Sequence, residues 1–168
     1  MKGTMKVIML IIFATFFFSP STVQSQFFYM ENEDIGKPVK DFTLKIVNGE
    51  ETSLKEYRDG KKAIIFFWAT WCPHCRVQLG NLNKDLIAIE KKNIKIVLVD
   101  VGESEAIVSK YMEKNKIHLD VFLDEQSEVS DKYGLIGVPT FYYVGEDGNV
   151  IDVQHSLVDD FDKIFTKS

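Results

Sequence analysis

The sequence has little cysteine. Only Cys72 and Cys75 occur in 168 residues, which excludes a small scaffold stapled by several disulfides. Excess positive charge is also lacking. Twenty Lys and Arg stand against 25 Asp and Glu, a formal net charge of −5. A surface that neutralises a nucleic-acid backbone needs the opposite balance, so no nucleic-acid partner is expected. The leading apolar run has only 12 residues (7–18), and the chain as a whole is too polar for a multi-span membrane protein. No internal repeat, low-complexity tract or interdomain linker interrupts it. What is present, 45% hydrophobic and 27% charged residues, has the composition of one globular domain with a real core.

The first 25 residues have the layout of a secretory signal peptide. Lys2 and Lys6 form a basic start, the 12-residue apolar run follows, and Val23 and Ser25 suit the positions flanking a cleavage site. Cleavage is expected after Ser25. The alternative is an uncleaved anchor. Twelve apolar residues span about 18 Å as a helix, against a hydrocarbon core of about 30 Å. No cysteine follows the run, which argues against a lipoprotein anchor. Cleavage removes two lysines and no acid, leaving 18 basic and 25 acidic residues in residues 26–168, the expected single domain. An exported protein works where disulfides are made and broken.

Along that domain, Asn48-Gly49 lies between strand-like residues 41–46 and 52–57, a hairpin signal because both residues tolerate positive φ. Residues 63–69 are apolar throughout, as in a strand buried on both faces. From Cys72 the period changes: Cys75, Leu79, Leu82, Leu86 and Ile89 recur on one helical face that ends near Asn93. Residues 94–101 read as a second strand. Ser104 is placed to cap a helix reaching Asn115. Residues 119–123 read as a strand, and residues 127–133 as a short helix stopped by Gly134. Residues 140–144 and 150–154 form a hairpin, and residues 157–166 a closing amphipathic helix. Alternation of strand and helix predicts an α/β fold, with a central sheet flanked by helices.

The chemistry is concentrated in Trp71-Cys72-Pro73-His74-Cys75, between the buried strand and the helix. Cys72 falls at the helix N-terminus, and Pro73 at the first helical position, where its missing N–H costs nothing. Free backbone N–H groups and the helix dipole favour a thiolate there, and the thiolate is the reactive species. His74 adds a donor or a positive charge, so Pro73 and His74 are the pKa-tuning candidates. Cys75 lies one turn on, facing the core. This asymmetry predicts that Cys72 attacks and Cys75 resolves a mixed disulfide. A zinc site needs about four ligands, and only His74, His118 and His155 could complete one. No metal or other cofactor is expected beyond the redox-active Cys72–Cys75 disulfide. A thiol-based metal carrier and a non-catalytic binding or chaperone module are the competing readings. A disulfide closing so short a loop removes little chain entropy, so a purely structural role is disfavoured.

These residues resemble the thioredoxin superfamily. Trp-Cys-x-x-Cys after an apolar strand is one motif, and Gly137-Val138-Pro139-Thr140 is similar to the family's Gly-Val/Ile-Pro-Thr motif. The resemblance implies a thioredoxin-like fold. It also implies a cis Val138–Pro139 bond facing the cysteines, and an extended substrate strand paired with the backbone at Val138. Trp71, Val138, Pro139 and Thr140 are therefore the substrate-binding candidates. The leader, the N-terminal hairpin and an extra α-β unit around residues 103–133, before the proline, look like the TlpA/ResA branch of exported bacterial thiol–disulfide oxidoreductases. That likeness implies action in the periplasm or at an extracytoplasmic face. It implies cysteine-containing exported proteins as substrates and a membrane thiol–disulfide redox partner. Three positions depart from the pattern. Phe66 stands where thioredoxins carry a buried Asp. Gln78 and Gly80 stand where the branch often has Glu and Pro. The Pro-His dipeptide resembles DsbA-type oxidants, with a couple near about −120 mV against about −270 mV for thioredoxin.

Trp68 reads as core, Arg76 as an exposed helical residue that could hold a thiolate, and His118 and His155 as surface residues. Asp124-Glu125 and Asp159-Asp160 read as solvated faces or helix starts. Ala69 replaces the Thr or Ser that peroxidatic sites of the related fold usually carry three residues before the cysteine.

Overall fold

A computed structural model of the chain describes residues 32–166. The expected leader, residues 1–25, lies outside them.

Three parallel strands form the middle and one side of a mixed sheet: β3 (Lys62–Trp68), β4 (Ile94–Val101) and β5 (Val121–Asp124). Two antiparallel strands, β6 (Thr140–Val144) and β7 (Val150–Gln154), complete it in the order β5-β4-β3-β6-β7. Helices α2 (Pro73–Lys91) and α3 (Glu105–Asn115) make the crossovers after β3 and β4. The short α4 (Glu128–Lys132) follows β5 and ends before Gly134, whose φ of +65° a residue with a Cβ adopts poorly. The predicted N-terminal hairpin is a separate two-stranded ribbon, β1 (Thr43–Lys45) and β2 (Glu51–Ser53), turning at Asn48 with φ +56°. It runs on into α1 (Leu54–Arg58), where Ser53 and Glu56 form a capping box.

The sheet is apolar on both faces because its strands alternate between two cores. Ile64, Phe66 and Trp68 of β3 join Ile96, Leu98 and Phe141 beneath α2. Ala63, Ile65 and Phe67 join Val97, Val99, Tyr142 and Phe122 on the other side, covered by Phe42, Leu54 and Tyr133. Phe66 stacks on Phe141 with ring centroids 4.2 Å apart. Each such buried large side chain contributes roughly 1.5–3 kcal/mol, so the central strand holds the fold and points its C-terminal end at the cysteines.

Two expectations need correction. Residues 157–166 do not form one helix, and only α5 (Asp162–Phe165) is helical. Leu157 N–H donates to Gln78 Oε1 and Val158 N–H to the Tyr143 hydroxyl. These tertiary partners satisfy the segment's backbone donors. Ser104 stands at the N-cap of α3, but its side chain makes no capping bond. The Glu105 N–H donates instead to Glu125 Oε1. Of the two readings for Asp124, the helix start is the one found. It is buried and accepts the Val129 and Ser130 N–H groups at the start of α4.

Candidate active site

The turn from β3 into α2 is built by the end of an apolar strand and the start of an amphipathic helix. Trp68 and Ala69 are fully buried, and Trp71, two residues on, is 66% exposed. Cys72 is the N-cap of α2 in extended conformation, with Pro73 in the first turn. Cys72 and Cys75 are disulfide-bonded, with Cα atoms 5.2 Å apart. Cys72 Sγ also accepts the Cys75 backbone N–H at 3.1 Å. A sulfur that collects a helix N-terminal donor is one whose negative charge that donor would stabilise. Cys75 is completely buried, and Cys72 keeps 5% exposure, the order that the helical spacing predicts.

The loop before β6 closes over this sulfur. The Val138–Pro139 peptide is cis, and the Val138 carbonyl oxygen lies 3.8 Å from Cys72 Sγ. Val138 and Pro139 are half-buried. Thr140 is buried, and its hydroxyl donates to the Gly137 carbonyl at 2.8 Å, so its side chain braces the loop. Pro73 and His74 are exposed. The His74 ring meets the Gln78 side chain at 3.0 Å rather than a cysteine. Gln78 thereby links the start of α2 to Leu157 and the C-terminal segment.

Three further groups lie near the site. His155 lies at the end of β7, its Nδ1 3.3 Å from both the Pro139 carbonyl oxygen and the Thr140 hydroxyl. Pro73, Arg76 and Val77 of α2 face Tyr111, Lys114 and Asn115 of α3 across a cleft of about 510 Å³. It carries two cations and no acid. The third group is a pair of acids. Asp100 ends the apolar run of β4 and is completely buried, and Glu103 in the next turn is nearly so. Glu103 accepts the Thr70 backbone N–H at 2.5 Å and its hydroxyl at 2.7 Å, which ties the β4–α3 turn to the cysteine loop. Burial first, and then the neighbouring Glu103 charge, push the Asp100 carboxyl up to about 8. A lone acid inside an eight-residue apolar strand was the available signal, because a charge is buried only where something compensates it. Among the described residues no group of three or more His, Cys, Asp or Glu could hold a metal ion.

A cysteine pair opening the helix after a central parallel strand, faced by an X-Pro loop, defines a thioredoxin-fold thiol–disulfide oxidoreductase. The comparisons agree with that class. The chain belongs to the AhpC/TSA family, which it matches over residues 35–153. It is similar to the thiol-disulfide oxidoreductase ResA of Bacillus thuringiensis, 28% identical over 128 residues, covering 76% of this chain and 73% of the relative. The sporulation thiol-disulfide oxidoreductase A of Bacillus subtilis is 30% identical over 112 residues, covering 65% of this chain and 67% of the relative. Among solved structures, StoA of Bacillus subtilis matches with TM-score 0.64 at 25% identity, over 76% of this chain and 96% of that one. A putative thiol:disulfide interchange protein DsbE of Chlorobium tepidum matches with TM-score 0.67 at 25% identity, over 77% and 90%. These relatives support the TlpA/ResA-like assignment, and the protein is a thiol–disulfide oxidoreductase.

Proposed function

We infer that the protein is exported and exchanges its Cys72–Cys75 dithiol/disulfide with cysteine-containing exported proteins through a mixed disulfide at Cys72. The observation that carries this reading is the Cys72 sulfur, which accepts a helix N-terminal N–H and faces the Val138 carbonyl. In the reducing direction, the Cys72 thiolate attacks a substrate disulfide, and one substrate sulfur leaves as thiolate. Cys75 then gives up its proton and attacks the Cys72 sulfur. The Cys72–Cys75 bond re-forms and the second substrate thiol departs. Two electrons pass to the substrate. Oxidation of a substrate dithiol runs the same steps backwards, and a membrane thiol–disulfide partner restores the starting state. No cofactor enters beyond the disulfide itself.

Pro73 and His74 tune the Cys72 thiolate, Trp71 covers the mixed disulfide, and the Val138 backbone with Pro139 aligns an extended substrate. Thr140 holds that loop in shape. Arg76 and Lys114 beside the site favour substrate segments with acidic residues near the cysteine. The basic leader with its short apolar run supports export to the periplasm or an extracytoplasmic face. The test is turnover of insulin disulfides with a thiol reductant and, separately, oxidative refolding of a reduced protein. Catalysis of at least one is expected. If neither exceeds the uncatalysed rate while the fold is intact, a non-catalytic binding role replaces this one.

A further inference from the structure

The buried acids beneath the cysteine loop do more than fill space. Strand alternation puts Asp100 on the sheet face of Ile96 and Leu98, directly beside Trp68 in the β3–β4 register. Cys72, Cys75 and α2 pack on that same face. Neither Asp100 oxygen has a hydrogen-bond partner of normal geometry, and neither has the neighbouring Trp68 Nε1. The side chain that acts on Asp100 most strongly is another carboxyl, Glu103. Two carboxyl groups attract only when one of them keeps its proton, and otherwise they repel. Glu103 spends its charge on Thr70, whose N–H and hydroxyl it accepts together. Thr70 lies two residues before Cys72, and the intervening loop turns through the Cys72 N–H to Ala69 carbonyl bond. Among the described residues no ion pair engages Asp100 or Glu103. The other charge acting on Asp100 is Asp124, which is committed to the N-terminus of α4. From α3 the titratable neighbour on this face is Tyr111, which contacts Trp68. From α2 it is the Cys72–Cys75 pair, which titrates only once reduced.

We propose that Asp100 and Glu103 share one proton, and that this protonated pair is a positioning device that holds the cysteine loop through Thr70 and couples its proton to the thiol–disulfide equilibrium. Asp100 holds the proton and donates it to Glu103, leaving the Glu103 charge free to accept from Thr70. Loss of the proton to solvent puts two like charges side by side in the buried interior. Reduction of the disulfide adds negative charge on the same face once Cys72 is a thiolate. The reduced protein therefore keeps the shared proton to higher pH than the oxidised one, and rising pH favours the disulfide beyond the effect of the thiols alone. This rests on the exchange chemistry proposed above only in its redox readout.

Two measurements test it. In oxidised wild-type protein with 13C-labelled aspartate side chains, one carboxyl resonance should titrate between about pH 7 and 9. If every aspartate titrates below about pH 6, the shared proton does not exist. The second is the equilibrium with glutathione across pH 6 to 9.5, read by thiol alkylation, in wild type and Asp100→Asn. The amide can still donate to Glu103 but cannot titrate. Wild type should shift towards the disulfide more than the variant by about threefold or more between pH 7 and 9, and the two should converge near pH 6. Parallel pH profiles, including a constant offset at all pH, would mean that Asp100 is only structural. The carboxyl titration does not depend on catalysis, so it separates failure of this proposal from failure of the exchange mechanism.

Discussion

Two successive strand-to-helix turns meet at the C-terminal ends of the parallel strands, and they divide the work. The β3–α2 turn carries sulfur. Its apolar approach ends in a cysteine N-cap, and no acid stands in the first turn of α2. The β4–α3 turn carries charge. It places Asp100 and Glu103 in the interior, and its own helix starts with Glu105. The two turns are joined where Glu103 accepts from Thr70. The difference is instructive because Phe66 and Gln78 are not acids: β3 and the first turn of α2 bring no carboxyl to the cysteines, and the buried carboxyls arrive from the neighbouring turn. Reactivity and proton storage thus sit on separate elements, linked by one residue.

That division predicts graded effects. Cys72→Ala should remove exchange almost entirely, by about a thousandfold or more in insulin turnover, because the attacking sulfur is gone. On the other turn, Asp100→Asn should change stability rather than remove activity. The folded-state value near 8 lies above the ordinary aspartate value of about 3.9, so wild-type stability falls as pH rises between the two. The variant lacks that fall. It should match wild type near pH 5 and be more stable at pH 8 by on the order of 2 kcal/mol in denaturant titrations. Glu103→Ala removes both acceptors from Thr70. Hydrogen exchange at the Thr70 amide should quicken about tenfold or more, with little change in the central strands. The smallest effect belongs to the cleft flanking the first turn. Reversing both charges in Arg76→Glu with Lys114→Glu should slow reduction of acidic mixed-disulfide peptides about threefold at low salt, spare neutral ones, and lose the distinction at high salt.

The sequence made most of this legible, for physical reasons that differ between elements. Strands β4, β6 and β7 appear at their expected residues because continuous β-branched and aromatic runs have few alternatives to a buried sheet. The roles suggested for Cys72 and Cys75 follow from a helical period that the structure reproduces. The C-terminal helix was misjudged because its backbone donors find Gln78 and Tyr143, side chains 79 and 15 residues away in the chain. His155 is on the surface as expected, and the Pro139 carbonyl it meets is 16 residues away in the chain. Asp100 was visible as a lone acid in an apolar strand. Its meaning, however, depends on register beside Trp68 and on the burial it shares with Glu103, and a strand pattern shows neither.

The central claim is that Cys72 carries the covalent intermediate and Cys75 resolves it. The direct measurement is the rate at which each single-cysteine variant, Cys75→Ala and Cys72→Ala, forms a mixed disulfide with an activated disulfide peptide at neutral pH, followed by intact-mass spectrometry. The account predicts a stable adduct on Cys72 in Cys75→Ala, formed about a hundredfold faster than any adduct on the fully buried Cys75 of the other variant. Equal rates, or faster reaction at Cys75, would contradict it.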